Sequence, residues 1–360
     1  MTESTLYNQQ IRGLKKEISD AEVFLIRDKG ELRSVTLEVT KRCNFRCVYC
    51  YASENPAKLA GRDNLTLADF KRIVAEGIEL GAQLINLTGG EALLYEDIFE
   101  LIEYIYRQDA DILLFTNGIA INDEVAHRLF DNHCSLCLKL DSLEKSKYEY
   151  FTGFNGLENT KRLIDKLLKL GYNEPGNPTL EINAIATKAN TAEIPIIWRW
   201  ARERNIKPTF TRFWPVGEAA KNLDLLLQPD ELKKLYEEAA RIDNEFGVPW
   251  EVKFPGCGGV GCKNFYLDCA ISSEGYVRPC PCIQIYDYLI KGATLKEIIA
   301  HSELFQKTRY IEKYIKGDCK NCEYLSKCYG CRSIAFGLTG DMFAPDPLCW
   351  HNSQCYKHQE

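Results

Sequence analysis

An α/β fold, in the form of a partial TIM-like (β/α)6 barrel followed by a small cysteine-rich domain, is what this sequence predicts, and three observations carry it. Between Ser34 and Trp214, short strand-like runs rich in Val, Ile and Thr alternate with amphipathic helical runs, the pattern of a parallel sheet with helical crossovers. The alternation stops after six units, short of the eight a closed barrel needs, so the sheet should stay open on one side. Beyond Trp250, glycines, prolines and eleven of the sixteen cysteines crowd into loops, so this part is held by something other than apolar burial.

Taken in order, residues 1–33 read as a capping segment, with a helix over Leu6–Ile18 and a strand over Glu22–Arg27, too short to fold alone. The strand runs that follow are SVTLEVT (34–40), QLINLT (83–88), DILLFT (111–116), CLKLD (137–141), TLEINAIAT (179–187) and PTFTRFW (208–214). Between them lie helical runs over Leu67–Leu80, Ile98–Arg107, Asn122–Asp131, Leu157–Leu170 and Ile194–Asn205. Thr66 and Asp69 offer a capping box for the first of these. The core unit spans 34–228 and a linker spans 229–249. The linker's charged helix, Glu231–Phe246, reads as solvent-facing, and a cysteine-rich unit fills 250–360. No low-complexity segment or fixed-period repeat interrupts this order.

At 360 residues, with 45% hydrophobic and 27% charged content, the composition is that of a globular protein. A net charge of -6 argues against nucleic acid as a partner. The N-terminus lacks the apolar core of a signal peptide, and no stretch approaches the roughly 18 apolar residues of a membrane span, so a cytoplasmic protein with no membrane partner is expected. Sixteen cysteines in a reducing compartment point to metal ligation rather than disulfides.

The densest chemistry sits in Lys41–Tyr51, KRCNFRCVYCY, directly after the first strand run. Cys43, Cys47 and Cys50 place three thiolates on one loop, and no further Cys follows before Cys134, so a four-donor centre built here keeps one corner open to a small molecule. The plainer alternative is three buried thiols. The C-x3-C-x2-C spacing resembles the signature of the radical S-adenosylmethionine (radical SAM) superfamily, in which the open iron of a [4Fe-4S] cluster binds the amino and carboxylate groups of SAM.

Ligands of parallel α/β proteins sit at C-terminal strand ends, and these ends extend the resemblance. Thr88-Gly89-Gly90-Glu91 is similar to the family's GGE motif: the glycines would let a ligand approach the backbone, and the carboxylate would take the amino group of SAM. Ala92 stands where a proline is usual. Asn117 lies in the turn Thr116-Asn117-Gly118. In Lys139-Leu140-Asp141-Ser142, Lys139 could pair with the carboxylate of SAM or snorkel at the barrel rim. Glu181 and Asn183 make one face of the fifth run polar, which implies a polar ligand inside the barrel. Pro215 and Gly217 lie in a loop resembling the family's adenine-side loop, and Tyr49 corresponds to the aromatic that packs on adenine.

The second half carries Cys319-x2-Cys322-x5-Cys328-x2-Cys331 and Cys349, with Gly275 four residues before the Pro-Cys280 step and Cys257 and Cys262 upstream. This resembles the SPASM extension of radical SAM enzymes, which holds two auxiliary [4Fe-4S] clusters. By that resemblance Cys257, Cys262, Cys280 and Cys331 ligate the first, and Cys319, Cys322, Cys328 and Cys349 the second. The closing x2 replaces a more usual x3, and Cys269 and Cys282 compete with Cys257 and Cys262. A zinc module is the rival for these paired cysteines. Cys134 and Cys137 read as core thiols, and His127, His133, His301, His351 and His358 show no dyad spacing.

The resemblance implies an enzyme using SAM and three [4Fe-4S] clusters, one SAM-binding and two auxiliary, kept from oxygen and fed electrons by a flavodoxin- or ferredoxin-like reductant. Its chemistry would be reductive cleavage of SAM to a 5'-deoxyadenosyl radical that abstracts hydrogen from a substrate. That substrate is expected to be a peptide or protein, although the residues before Ser34 are too few for the winged-helix leader-binding domain of many peptide-modifying relatives. The alternative is a dehydrogenase or epimerase acting on a small molecule or cofactor precursor, and a non-enzymatic scaffold is the remaining class. Cys269 or Cys282 is expected to lie free near the barrel mouth and return a hydrogen atom to a substrate radical; the other reading makes both packing residues or cluster ligands.

Overall fold

The computed structural model describes residues 19–52, 64–255 and 262–352; the expected helix over Leu6–Ile18, and Cys257 and Cys355, lie outside the described residues. Six parallel strands form the frame: β1 (Ser34–Thr40), β2 (Leu84–Gly89), β3 (Asp111–Thr116), β4 (Cys134–Lys139), β5 (Leu180–Ala186) and β6 (Lys207–Arg212). All but one of the residues of β1 are buried, because helices cover one face of the sheet and a cavity-lining interior forms the other. The crossovers are α2 (Leu67–Glu79), α3 (Ile98–Arg107), α4 (Asp123–Asp131), α5 (Lys145–Thr152) with α6 (Leu157–Leu170), and α7 (Ile194–Arg202). Thr66 and Asp69 close the expected capping box at the start of α2, and Gly171, at φ 112, ends α6 in the left-handed region. The outer core lies between strands and helices, where Val35, Leu37, Leu87 and Leu114 meet Phe70, Ile102 and Leu129.

The N-terminal segment departs from expectation. Residues Asp20–Asp28 form a helix, α1, where a strand over Glu22–Arg27 was expected. Ser19 and Glu22 make a full capping box, a local signal strong enough to outweigh the β-leaning apolar run over residues 23–26 that follows it. Val23, Phe24 and Ile26 then pack on Phe265, Tyr266 and Tyr329 of the cysteine-rich half. Arg309 fixes this junction by donating to Arg27 O at 3.0 Å and Glu31 O at 2.8 Å.

Beyond β6, α8 (Pro229–Glu245) corrects the expectation of a solvent-facing linker. It is amphipathic, and Leu232, Leu235, Tyr236, Ala239 and Ile242 are buried against Ala184, Phe210 and Trp198 of β5, β6 and α7. Asp243 accepts from Trp198 Nε1 at 2.6 Å, Arg202 Nε at 2.7 Å and Trp250 Nε1 at 2.9 Å, so even its buried carboxylate is satisfied. The helix covers the flank of the β6 edge.

The sheet continues past Trp250. After α9 (Asn264–Leu267), β7 (Asp268–Ile271) pairs in parallel with β1, and β8 (Val277–Arg278) pairs antiparallel with β7. The full order is β6-β5-β4-β3-β2-β1-β7-β8, a mostly parallel α/β sheet whose second edge comes from the cysteine-rich half. Five short helices complete it: α10 (Leu295–His301), α11 (Glu303–Arg309), α12 (Ile311–Tyr314), α13 (Gly317–Lys320) and α14 (Arg332–Thr339). Among the described residues no helix is long and apolar enough to cross a membrane.

The burial of α8 sets a first test. Leu235→Ala is expected to cost about 2–5 kcal/mol in urea unfolding, the range for a buried Leu; a loss under about 0.5 kcal/mol would mean that the helix is solvated after all.

Candidate functional site

A cavity of about 1040 Å³ runs through the sheet's inner side, and the Lys41–Tyr51 loop forms its roof. Backbone contacts fix that loop. Gly90 N donates to Thr40 O at 2.7 Å and Glu91 N to Arg42 O at 2.8 Å. A Cβ at Gly89 would stand 2.3 Å from Thr40 O, and one at Gly90 2.2 Å from Arg42 O. The close approach that these glycines permit is therefore that of the thiol loop itself, where a ligand had been expected. On the other side Arg46 N donates to Thr152 O at 2.8 Å, Ala219 N to Cys50 O at 3.2 Å and Asn222 Nδ2 to Val48 O at 2.8 Å. Gln284, from the cysteine-rich half, donates to Tyr51 O.

Cys43, Cys47 and Cys50 all face the cavity. Burial pushes the Cys43 thiol up to about 11, and that of Cys47 higher despite Lys139 nearby. Among the described residues no three donors converge as a single-ion site. A cubane binds each thiolate through a different iron and so takes a wider set of sulfurs, which three cavity-facing thiols on one pinned loop can provide. Three thiols with no fourth on the loop fit a cluster that keeps one iron open.

The expected SAM-binding residues divide into two groups. Tyr49, Thr88, Gly89, Gly90, Glu91, Asn117, Lys139 and Asn183 line the cavity. Glu91 is buried, which pushes its carboxyl up; against that, it accepts from Asn117 N and Thr116 Oγ1, each at 2.7 Å, and from Leu93 N at 3.1 Å. It ties β2 to the end of β3. Asp141, Pro215 and Gly217 stand behind the wall, whereas Trp214 and Glu218 of that last loop reach it. Asp141 is fully buried and accepts from the Tyr49 hydroxyl, Ile185 N at 2.8 Å and Lys139 Nζ at 3.3 Å. It positions the pair in which Lys139 Nζ lies 4.4 Å from the Tyr49 ring centre. Gly217, at φ +65, is required by packing: a Cβ there would lie 2.5 Å from Tyr51 O.

Cys262, Cys280, Cys282 and Cys331 face the same cavity. The Cys282 and Cys280 thiols are hydrogen-bonded to each other. Cys319, Cys328 and Cys349 gather around Asp346, whose backbone N–H donates to Cys319 Sγ at 3.4 Å, while Gly330 N donates to Cys328 Sγ at 3.3 Å. Burial disfavours the Asp346 carboxylate, but Arg212, paired with it at 2.8 Å, holds it below the usual range. Cys269 is different. It is 0% exposed, lies in the outer core with Val35 and Leu37, and is absent from the cavity wall, so the expected mouth-side thiol is not this one. Adjacent strand residues face opposite ways, and Asp268 takes the inward place. Cys134 and Cys137 are both buried, the second on the cavity side, and none of the described histidines reaches the cavity.

Sequence reasoning singled out Glu181 but passed over its partner Lys207 and the pair Glu38 and Arg278. Glu38 of β1 pairs with Arg278 of β8, and Lys207 of β6 pairs with Glu181 of β5 at 2.8 Å, all four lining the cavity. The available signal was a lone charge inside a run that otherwise reads as buried.

Residues 37–183 match the family described as the Radical SAM superfamily. These residues form a radical SAM domain, the chain is an enzyme, and SAM with a [4Fe-4S] cluster is what such a domain uses. The AdoMet-dependent heme synthase of Methanosarcina barkeri is 27% identical over 349 residues, 88% of this chain and 96% of that protein. The PqqA peptide cyclase of Bradyrhizobium diazoefficiens is 26% identical over 357 residues, 93% of this chain and 89% of that one. The crystal structure of Streptococcus suis SuiB bound to precursor peptide SuiA superposes with a TM-score of 0.72 at 16% identity, covering 94% of this chain and 80% of that one, a likeness of fold.

The clasp between the glycine pair and the thiol loop is testable. Gly90→Ala is expected to destabilise the chain by about 1–3 kcal/mol, as overpacking does, and to lower iron bound after anaerobic reconstitution; unchanged stability and iron would show that the loop is not held there.

Proposed function

We propose that this chain is a radical SAM enzyme of the SPASM type that modifies a peptide or protein. The observation that carries the reading is one cavity shared by the Cys43/Cys47/Cys50 loop and by Cys262, Cys280 and Cys331 of the second half. Cys43, Cys47 and Cys50 would hold a [4Fe-4S] cluster, which with SAM would supply a 5'-deoxyadenosyl radical on one-electron reduction. The chain's own part is to hold and shield. Tyr49, fixed by Asp141, offers a ring to adenine; Lys139 and Glu91 offer a cation and an anion at the two sides of the loop; the roof and walls keep water and oxygen out.

Cys257, Cys262, Cys280 and Cys331 would hold a first auxiliary cluster, and Cys319, Cys322, Cys328 and Cys349 a second, with Arg212 and Asp346 bracing both sets. The unit boundaries proposed are 1–33, 34–228, 229–249 and 250–360, and the reductant is flavodoxin- or ferredoxin-like. The compartment proposed is the cytoplasm. A cavity of this size stands at the top of the roughly 300–1,000 Å³ of a single ligand site, and a cluster and SAM would take part of it. The substrate class proposed to share it is a peptide or protein. The PqqA peptide cyclase and the SuiB–SuiA complex support that choice.

The second reading, a dehydrogenase or epimerase acting on a small molecule or cofactor precursor, is favoured by the likeness to the heme synthase. A peptide encoded beside this gene that gains or loses mass on incubation with reduced enzyme and SAM would decide for the first; an unchanged peptide would turn attention to the second.

Cys43→Ala, Cys47→Ala and Cys50→Ala are each expected to abolish 5'-deoxyadenosine formation while a substantial share of the iron per chain remains. Deoxyadenosine from any of them would remove the assignment.

Of the two thiols considered as hydrogen donors, Cys282 faces the cavity and Cys269 does not. In deuterated solvent the wild type is expected to place deuterium in the product and Cys282→Ala to lose this, with Cys269→Ala like wild type. Product free of solvent deuterium would instead favour a net oxidation or bond-forming reaction.

A further inference from the structure

Below the thiol loop the cavity continues to the N-terminal ends of the strands, and its floor carries a carboxyl group that the chemistry above leaves unused. Asp268 opens β7 and stands opposite Ser34 in the parallel register, at the far end of β1 from Thr40. Six residues at about 3.3 Å each put it about 20 Å below the loop, too far to touch a group reacting there. Its side chain lines the cavity although the residue is only 6% exposed. Thr36 donates to Oδ2 at 3.1 Å and in turn accepts from Asn86 Nδ2 at 3.3 Å, and the Ser34 hydroxyl and the Cys269 N–H also donate to the carboxyl. Oδ1 has no hydrogen-bond partner among the described residues.

A buried acceptor left unpaired is costly, and a buried acid without a counter-charge more so. The cations around the lower cavity are committed elsewhere: Lys207 to Glu181 at 2.8 Å, Arg202 to Asp243 at 2.7 Å, and Arg278 to Glu38. Among the described residues Asp268 makes no ion pair, and burial pushes its carboxyl up to about 8. Beside it, Leu84, Leu113 and Cys137 form an apolar patch on the same floor.

We propose that this floor, with Asp268 Oδ1 as acceptor and Leu84, Leu113 and Cys137 as an apolar bed, binds a protonated amine or guanidinium at the far end of the substrate. A cation supplies the counter-charge that the carboxyl lacks and a donor to Oδ1, and excluding water strengthens the pair. A Lys or Arg side chain, or a terminal amine on a methylene stem, has the required form. The inference rests on the proposed function in taking the substrate to run from the thiol loop down the barrel. Asp268 is then a specificity-determining residue, remote from the reacting atoms.

The test uses n-hexylammonium, hexanol and hexanoate, titrated calorimetrically at pH 9, where the Asp268 carboxyl is mostly ionised and the ammonium still protonated, into the full-length chain and its Asp268→Asn variant. The wild type is expected to bind the ammonium at least tenfold more tightly than the alcohol, with hexanoate no better than the alcohol. Asp268→Asn keeps an acceptor for Thr36 and is expected to erase the preference. Equal binding of ammonium and alcohol, tighter hexanoate, no binding at all, or a preference that survives Asp268→Asn would overturn the proposal; if the variant does not fold, the three wild-type titrations decide. Deoxyadenosine formation by reduced wild type is read separately. A protein that cleaves SAM but ignores the ammonium loses only the floor site, and one that binds the ammonium but makes no deoxyadenosine keeps the floor site and loses the functional reading.

Discussion

The distance between two stretches of backbone, the end of β2 and the start of the thiol loop, limits everything above the sheet. Thr40 O and Arg42 O lie so close to Gly89 and Gly90 that no side chain fits between. The reward for that proximity is a pair of backbone hydrogen bonds, which hold a loop more firmly than side chains with rotamer freedom could. Once Gly90 is pinned, Glu91 is aimed at Asn117 N, and the ends of β1, β2 and β3 are tied together by hydrogen bonds. The three thiols therefore stand where the parallel strands end, the place at which this architecture collects ligands.

Charge closes what hydrogen-bonded strands leave open. Arg278 of β8 reaches Glu38 of β1, and Arg212 at the end of β6 reaches Asp346 among the second set of cysteines. Both pairs are buried, so their attraction is largely offset by the cost of removing charges from water, and their contribution is to geometry more than to stability. Each couples a strand of the barrel to the cysteine-rich half. The two halves thus share one cavity, with β7 joined to the sheet at one edge and α8 packed beside the other.

The interior differs from a filled barrel for a physical reason. Inward positions carry Thr36, Glu38, Asn86, Lys139, Glu181, Asn183, Lys207 and Asp268, which cannot pack dry without partners. Most satisfy one another across neighbouring strands, as Asn183 does with Thr209 and Thr211, each at 2.9 Å. A polar-lined hollow of this kind stays open to a ligand where apolar side chains would have filled it.

The sequence by itself determined the α/β class, the six parallel strands and the loop carrying Cys43, Cys47 and Cys50, because strand alternation and cysteine spacing are local properties of the chain. The glycine pair was equally visible, but what it admits was not: close approach is defined by the partner, and only the fold brings Thr40 and Arg42 there. Asp141 could not be told from a wall residue until Tyr49 and Lys139 were seen to lean on it from the cavity side. The helix Asp20–Asp28 shows local information of the opposite kind, since the Ser19–Glu22 box was legible and outweighs the apolar run. Which face of α8 is buried depended on its meeting with β5, β6 and α7, and that Asp268 rather than Cys269 turns inward depended on β7 adding to β1 in one register across more than two hundred residues of chain. A two-residue period says that neighbours face opposite ways; only the pairing says which of them meets the core.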